Sequence, residues 1–486
     1  MCRRIRSILA FGLIVATGAT IPAWAQETTR RVSVSTGGGQ SNGDSFTPAL
    51  SADGRFVAFG SFASNLVPGD TNGLTDVFVR DRRTGTTQLV SVRTGGGRGN
   101  DSSSNPALSA DGRFVTFMSL ATNLVPGDTN GTFDVFVHDR QTGTTRRVSG
   151  SSSGTQGNGE SSLPALSADG RFVAFMSLAT NLVPGDTNNA RDVFVHDRQT
   201  GTTRRVSVSS GGGQANNFSS DAALSADGRF VAFDSDASNL VPGDTNGTFD
   251  VFVHDRQTGT TRRVSLRTGG GQGNGSSFDA ALSADGRFVA FGSDASNLVP
   301  GDTNAATDAF VHDRWTGTTR RVSISSGGSQ GNGDSIAPVL SANGRLVAFE
   351  SIASNLVPND TNGVFDVFIR DRRTGTTRRV SRRHRRCPGQ RHHRRPCRVG
   401  GRPRGGIRVS GDQSRAGRHQ RPVGRIRPGA SAAALKGHSG HSQPDRCGNG
   451  PDPGTAGREG GCPPGWMVSR GQVACPKHRP ENSREA

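Results

Sequence analysis

A segment of 58 residues is written six times in this chain without insertion or deletion, and a period of that length restricts it to repeat architectures. The clearest stretch is L-S-A-D-G-R-F-V-A-F from Leu50, which returns with small changes at Leu108, Leu166, Leu224, Leu282 and Leu340. Within one period the apolar residues alternate or cluster between turn residues, and none keeps a helical spacing. Four strands fit: one ending near Leu50, then Phe56 to Ser61, Asp76 to Asp81 and Thr87 to Val92. Asp53-Gly54 suits a two-residue hairpin turn, and a Gly/Ser/Asn-rich loop from Thr94 to Ser104 reaches the next copy.

Four short antiparallel strands per repeat describe a blade, so the fold expected is an all-β propeller of six full repeats over residues 26–381. Thr28 to Val34 reads T-T-R-R-V-S-V, a copy of the fourth strand with no blade before it. It is expected to complete the last blade and remove an open sheet edge.

The S-A-D-G-R-F-V-A-F-x-S core, followed by D-V-F-V-x-D and T-T-R-R-V-S, resembles the TolB-type WD-like propeller repeat, in register over residues 28–381. The chain differs in carrying Ala before Asp-Gly, where proline is common in that family, and in its longer S-N-L-V-P-G-D-T-N-G connection. The resemblance implies a propeller that binds a protein. Related propellers also include polysaccharide lyases and the propeller domains of serine peptidases.

Charge divides the chain. Residues 382–486 hold 23 Lys and Arg against 6 Asp and Glu, all but one unit of the net +18, so the repeats are close to neutral. They have no electrostatic reason to bind nucleic acid. They also lack cysteine, since Cys2 precedes them and the other five follow, and must stand on a packed core. Residues 1–25 combine Arg3, Arg4 and Arg6, an apolar run and Ala23-Trp24-Ala25, the layout of a signal peptide. The expected location is periplasmic or extracellular, with no membrane span in the mature chain.

From Arg382 the pattern stops, and the tail is expected to be a disordered basic arm or a seventh repeat read out of frame. Starting one base later, Gln390, Gln413 and Gln420 shift to Asn or Ser where the Arg or Ser codon that follows begins with C or T, and Ile407 and Ile426 can shift to Phe. These five lie one period after Asn332, Asn355, Asn362, Phe349 and Phe368. The ancestral product expected is a ring of seven blades, with Arg382 to about Pro428 as its mistranslated last blade.

Oxygen ligands alternate with a bending glycine in G-D-T-N-G-x-x-D, which is how a calcium loop is built. The candidate ligands are Asp70, Asn72, Asp76; Asp128, Asn130, Asp134; Asp186, Asn188, Asp192; Asp244, Asn246, Asp250; and Asp302, Asn304, Asp308. The loop is similar to those of integrin-type FG-GAP propellers but two residues shorter. The alternative is an Asx turn feeding the third strand. His138, His196, His254 and His312 recur in F-V-H-D-R. One substrate needs one set of groups, so this repetition is expected to mark solvated strand ends and no catalytic base. The pairs Arg146-Arg147, Arg204-Arg205, Arg262-Arg263 and Arg320-Arg321 are expected to shield outer edges. Cys387, Cys397, His392 and His393 match no structural zinc spacing. The function expected is an exported, non-enzymatic scaffold without cofactor, binding a protein or carbohydrate on a propeller face. A calcium-stabilised ring and a lyase or peptidase relative are the alternatives. Asn343, Glu350, Asn359 and Trp315 are the polar or bulky residues that set single copies apart.

Overall fold

The computed structural model describes residues 29–381, which lie within one compact unit. The signal-peptide and tail expectations fall outside the described residues. Each repeat folds as the pattern requires, into a four-stranded antiparallel sheet with its strands in chain order. The first blade is β1 (Ser45–Leu50), β2 (Phe56–Ser61), β3 (Asp76–Asp81) and β4 (Thr86–Leu89). Residues 103–147, 161–205, 219–263, 277–321 and 335–379 repeat it, making a six-bladed β-propeller with no helix among the described residues. Leu50 and Ala52, with their counterparts in every blade, line a central channel.

Three local expectations need correction. Residues 51–55 form a five-residue connection in place of a two-residue hairpin. Only Gly54 takes a positive φ, of 66°, while the Asp53 carboxylate accepts from the Ser51 hydroxyl at 2.6 Å and the Arg55 amide at 2.9 Å. The fourth strand stops at Leu89 because the Ser91 hydroxyl takes over the ladder: it accepts from the Val77 amide at 3.1 Å and donates to Asp76. Residues 29–33 form no strand, and the sixth blade is completed by its own Thr376–Arg379. A strand that follows its partner through a short turn costs less loop entropy than one brought from the far end of the chain.

The period-2 alternation gives each blade two unlike faces. Phe59 and Phe78 share one face, their rings 5.9 Å apart, and this stacked pair recurs in all six blades. Ala58, Val77 and Val79 share the other, which packs against Leu108, Phe117 and Phe136 of the next blade. The larger side chains fill the space that the small ones leave, as close packing demands. Four further junctions are built alike. At each, an arginine lies over a phenylalanine of the blade before, as Arg198 does over Phe114 with 4.1 Å to the ring centroid. A glycine seats the same ring: a Cβ on Gly170 would come within 2.3 Å of Phe114.

Candidate functional site

Each G-D-T-N-G loop and the start of the third strand after it hold two carboxylates, Asp70 and Asp76 in the first blade. Asn72 is an Asx turn, its Oδ1 accepting from the Leu74 amide at 3.0 Å and its Nδ2 donating to Asp76 at 3.1 Å. The carboxylates face a cation of the chain itself. Arg98 meets Asp70 at 3.0 Å. In the fourth blade the Arg263 guanidinium sits 3.0 Å from both Asp244 and Asp250. Arg205 lies between Asp186 and Asp192, and Arg321 between Asp302 and Asp308, in the same manner. Arg147 stands 3.5 Å from Asp128 and 3.8 Å from Asp134. A glutamine from the loop entering the next blade adds a donor, as Gln156 Nε2 does to Asp128 at 2.8 Å. Asn130, Asn188 and Asn304 each donate to a carbonyl of that same loop at 2.9 Å. Burial pushes Asp76, Asp134, Asp192 and Asp250 above the usual carboxylate range, and the neighbouring serine and arginine oppose it. A calcium ion here would have to displace a guanidinium. Among the described residues, no three His, Cys, Asp or Glu side chains converge on one point.

This geometry corrects the reading of the arginine pairs. Their first members are exposed, but the second members turn inward onto the loop acids. The histidines are corrected as well, since His138, His254 and His312 are buried rather than solvated. In all four the Nδ1 lies 2.9 Å from a fourth-strand threonine hydroxyl. That hydroxyl donates to a carbonyl at the end of the preceding blade, as Thr261 does to Val208, so the imidazole N–H donates to the hydroxyl. Burial lowers all four imidazoles, His254 and His312 to about 4. Arg80 and Arg370 make the equivalent bonds in the first and sixth blades.

What distinguishes the copies lies elsewhere. Each innermost strand bulges, with the register slipping between Phe46 and Ala49 in the first blade. The bulge holds a non-glycine residue at positive φ, between 46° and 57°: Thr47, Asn105, Leu163, Asp221, Asp279 and Ala337. Such residues are strained, and they are maintained only by the surrounding structure. This position varies between the copies, with only the fourth and fifth blades sharing a residue type, aspartate. At the same end of the sheet, after the second strand, stand Phe62, Leu120, Leu178, Asp236, Asp294 and Ile352. That position is apolar in the first three blades and the sixth, and acidic in the fourth and fifth. Among the described residues, six of the seven exposed large hydrophobic ones, Phe62, Leu178, Phe218, Ile352, Val364 and Phe365, lie at this end. The seventh, Trp315, lies at the opposite end with Arg287 over its ring.

The loops entering and leaving this end brace each other. Asn42 accepts from the Ser64 amide at 3.0 Å while its own amide donates to Asn65, and every blade repeats the clasp. Of the residues that set single copies apart in the sequence, Asn343 replaces an aspartate in the first turn, and Asn359 takes a glycine position at φ 60°. Glu350 alone lies at the variable end, where burial raises its carboxyl. Comparison of the copies column by column would have found this end from sequence.

The six blades are those expected of TolB-type repeats. No protein-family model matches the chain, and no curated protein matches it. Among solved structures it is similar to TolB from Acinetobacter baumannii, at 18% identity over 62% of this chain and 58% of that one, with a TM-score of 0.37. The chain thus spans 58% of that TolB structure's length. It is also similar to an oligogalacturonate lyase from Vibrio parahaemolyticus (12% identity, 69% of this chain and 76% of that one, TM-score 0.42). An acylaminoacyl peptidase from Pyrococcus horikoshii is alike at 13% identity, over 70% of this chain and 46% of that one, with a TM-score of 0.42. None of these likenesses carries an activity over to this chain.

Proposed function

We propose that the protein is an exported, non-enzymatic scaffold that binds a partner at the variable end of its blades. The observation that carries this reading is the concentration there of copy-to-copy differences and exposed apolar side chains, on a frame otherwise repeated almost unchanged. Exposed apolar groups beside polar ones mark interaction surfaces. Acids after the second strand of the fourth and fifth blades, with apolar residues at the same position in the others, suit a protein segment with both apolar and cationic side chains better than a neutral carbohydrate. The clasp of Asn42 with Ser64 and Asn65, repeated in every blade, braces that surface, which lowers the ordering cost of binding.

The test is binding of a basic amphipathic peptide series, measured calorimetrically. Phe62→Ser with Phe218→Ser is expected to weaken it at least tenfold, and Trp315→Ser at the opposite end to leave it unchanged. Equal effects of both would overturn the reading. Turnover of polygalacturonate or of a chromogenic peptide would instead support an enzyme.

A further inference from the structure

Five of the propeller's blade junctions are complete, and among the described residues the sixth blade makes none of their contacts with the first. The alanine two residues past each first strand donates to its counterpart one blade on, from Ala52 to Ala110 and so round to Ala342, where the series stops. Phe288 lies under Arg372, whereas its counterpart one blade later is Leu346, which has no ring to take a cation. The apolar junction is divided in two. Phe59, Ala63, Leu66 and Phe78 form a cluster on the first blade alone, and Val339, Ala348 and Ile369 another on the sixth. Phe365 is left 46% exposed, whereas its counterpart Phe133 bonds through its carbonyl to the next blade.

A strand end is nevertheless docked on the first blade. Thr87 donates to the Val34 carbonyl at 2.6 Å, as Thr377 of the sixth blade does to Ile324 of the fifth. Val34 therefore stands, like Ile324, just past the place where a preceding blade's fourth strand would end. That blade is not the sixth, which has its own fourth strand, Thr376–Arg379. The geometry points to a seventh blade seated between the sixth and the first, with the T-T-R-R of residues 28–31 as its fourth strand. Its other three strands are supplied by the codons from 382 to about 428 read one base later. Three independent features agree: the two uncovered faces, the fourth-strand end already in place, and the five codon positions spaced one period after their counterparts. The last of these positions, Ile426, lies one period after Phe368 of the third strand, which leaves the fourth strand to the amino-terminal segment.

The test compares the full chain as written with the product of a gene shifted by one base after codon 381. The shifted product is expected to carry a seventh repeat, to melt several degrees higher, and to slow hydrogen exchange at Ala342 at least tenfold. Phe365→Ser is expected to lower the midpoint of the shifted product clearly and to leave the chain as written almost unchanged. The proposal is overturned if the shifted frame encodes no repeat, if the two midpoints coincide, or if exchange at Ala342 is the same in both.

Discussion

His254 shows how one side chain is fitted to a place rather than to a reaction. Its burial favours the neutral ring and lowers its pKa to about 4, against roughly 6.5 when unfolded. The unfolded chain therefore binds the proton more readily, and the contribution of this group to stability, complete above pH ~6.5, declines as pH falls toward about 4. Arg80 and Arg370 already fill the same position. His254→Arg is thus expected to fold, to keep its melting midpoint at pH 7 within a few degrees, and to lose less stability than the parent between pH 6.5 and 4.5. Gly228 is more exacting. It holds φ at 71°, and a Cβ there would meet the Phe172 ring at 2.3 Å. Gly228→Ala should cost roughly 2–4 kcal/mol in denaturant titrations, strain and overpacking together, whereas Gly243→Ala, with the same backbone but open space, should cost only about 1 kcal/mol.

The element that repays attention next is the loop before each third strand. Asp250 is fully buried and depends on Arg263 and Ser265 for its charge. Arg263→Met would leave that charge without its counterion and should destabilise the protein by about 3–5 kcal/mol, read from thermal melts. The parent is expected to show the same midpoint in EDTA and in millimolar calcium, because the guanidinium holds the place a metal would take. A rise with calcium would restore the metal reading. The strands themselves were legible because alternation and Asp-Gly turns are local signals. The partner of Arg263 was not, since the ion pair joins a strand to a loop about twenty residues earlier, and a charged residue on an outer strand reads equally well as solvated. The bulges were hidden for a related reason: Thr47 and Asp279 are ordinary strand residues until the register slips beneath them.

For the molecule as a whole, acid stability follows from ion pairs repeated six times. Each blade has a two-pronged arginine–aspartate pair, such as Arg229 with Asp255 at 2.8 and 2.6 Å, and the hydrogen-bonded guanidinium holds that carboxyl well below the ordinary range. A depressed carboxyl stabilises the fold above its unfolded pKa of about 3.9 and loses that contribution as pH falls through the folded value. Melting midpoints should therefore decline in two stages, gently from pH ~6.5 as the histidines become unfavourable and steeply below pH ~4. A single transition confined to pH above 5 would contradict this assignment. The repeat period and the four strands written within it were enough to infer the propeller. The break between the sixth and first blades was not legible, because it lies in contacts that two distant repeats fail to make.

Because every blade offers its neighbours the same two faces, the unit of variation open to this gene is the whole 58-codon segment. Recombination between near-identical copies could delete or duplicate one blade without spoiling a single surviving junction. Copy number would then change more readily than any core residue, and selection would act on whether the circle closes.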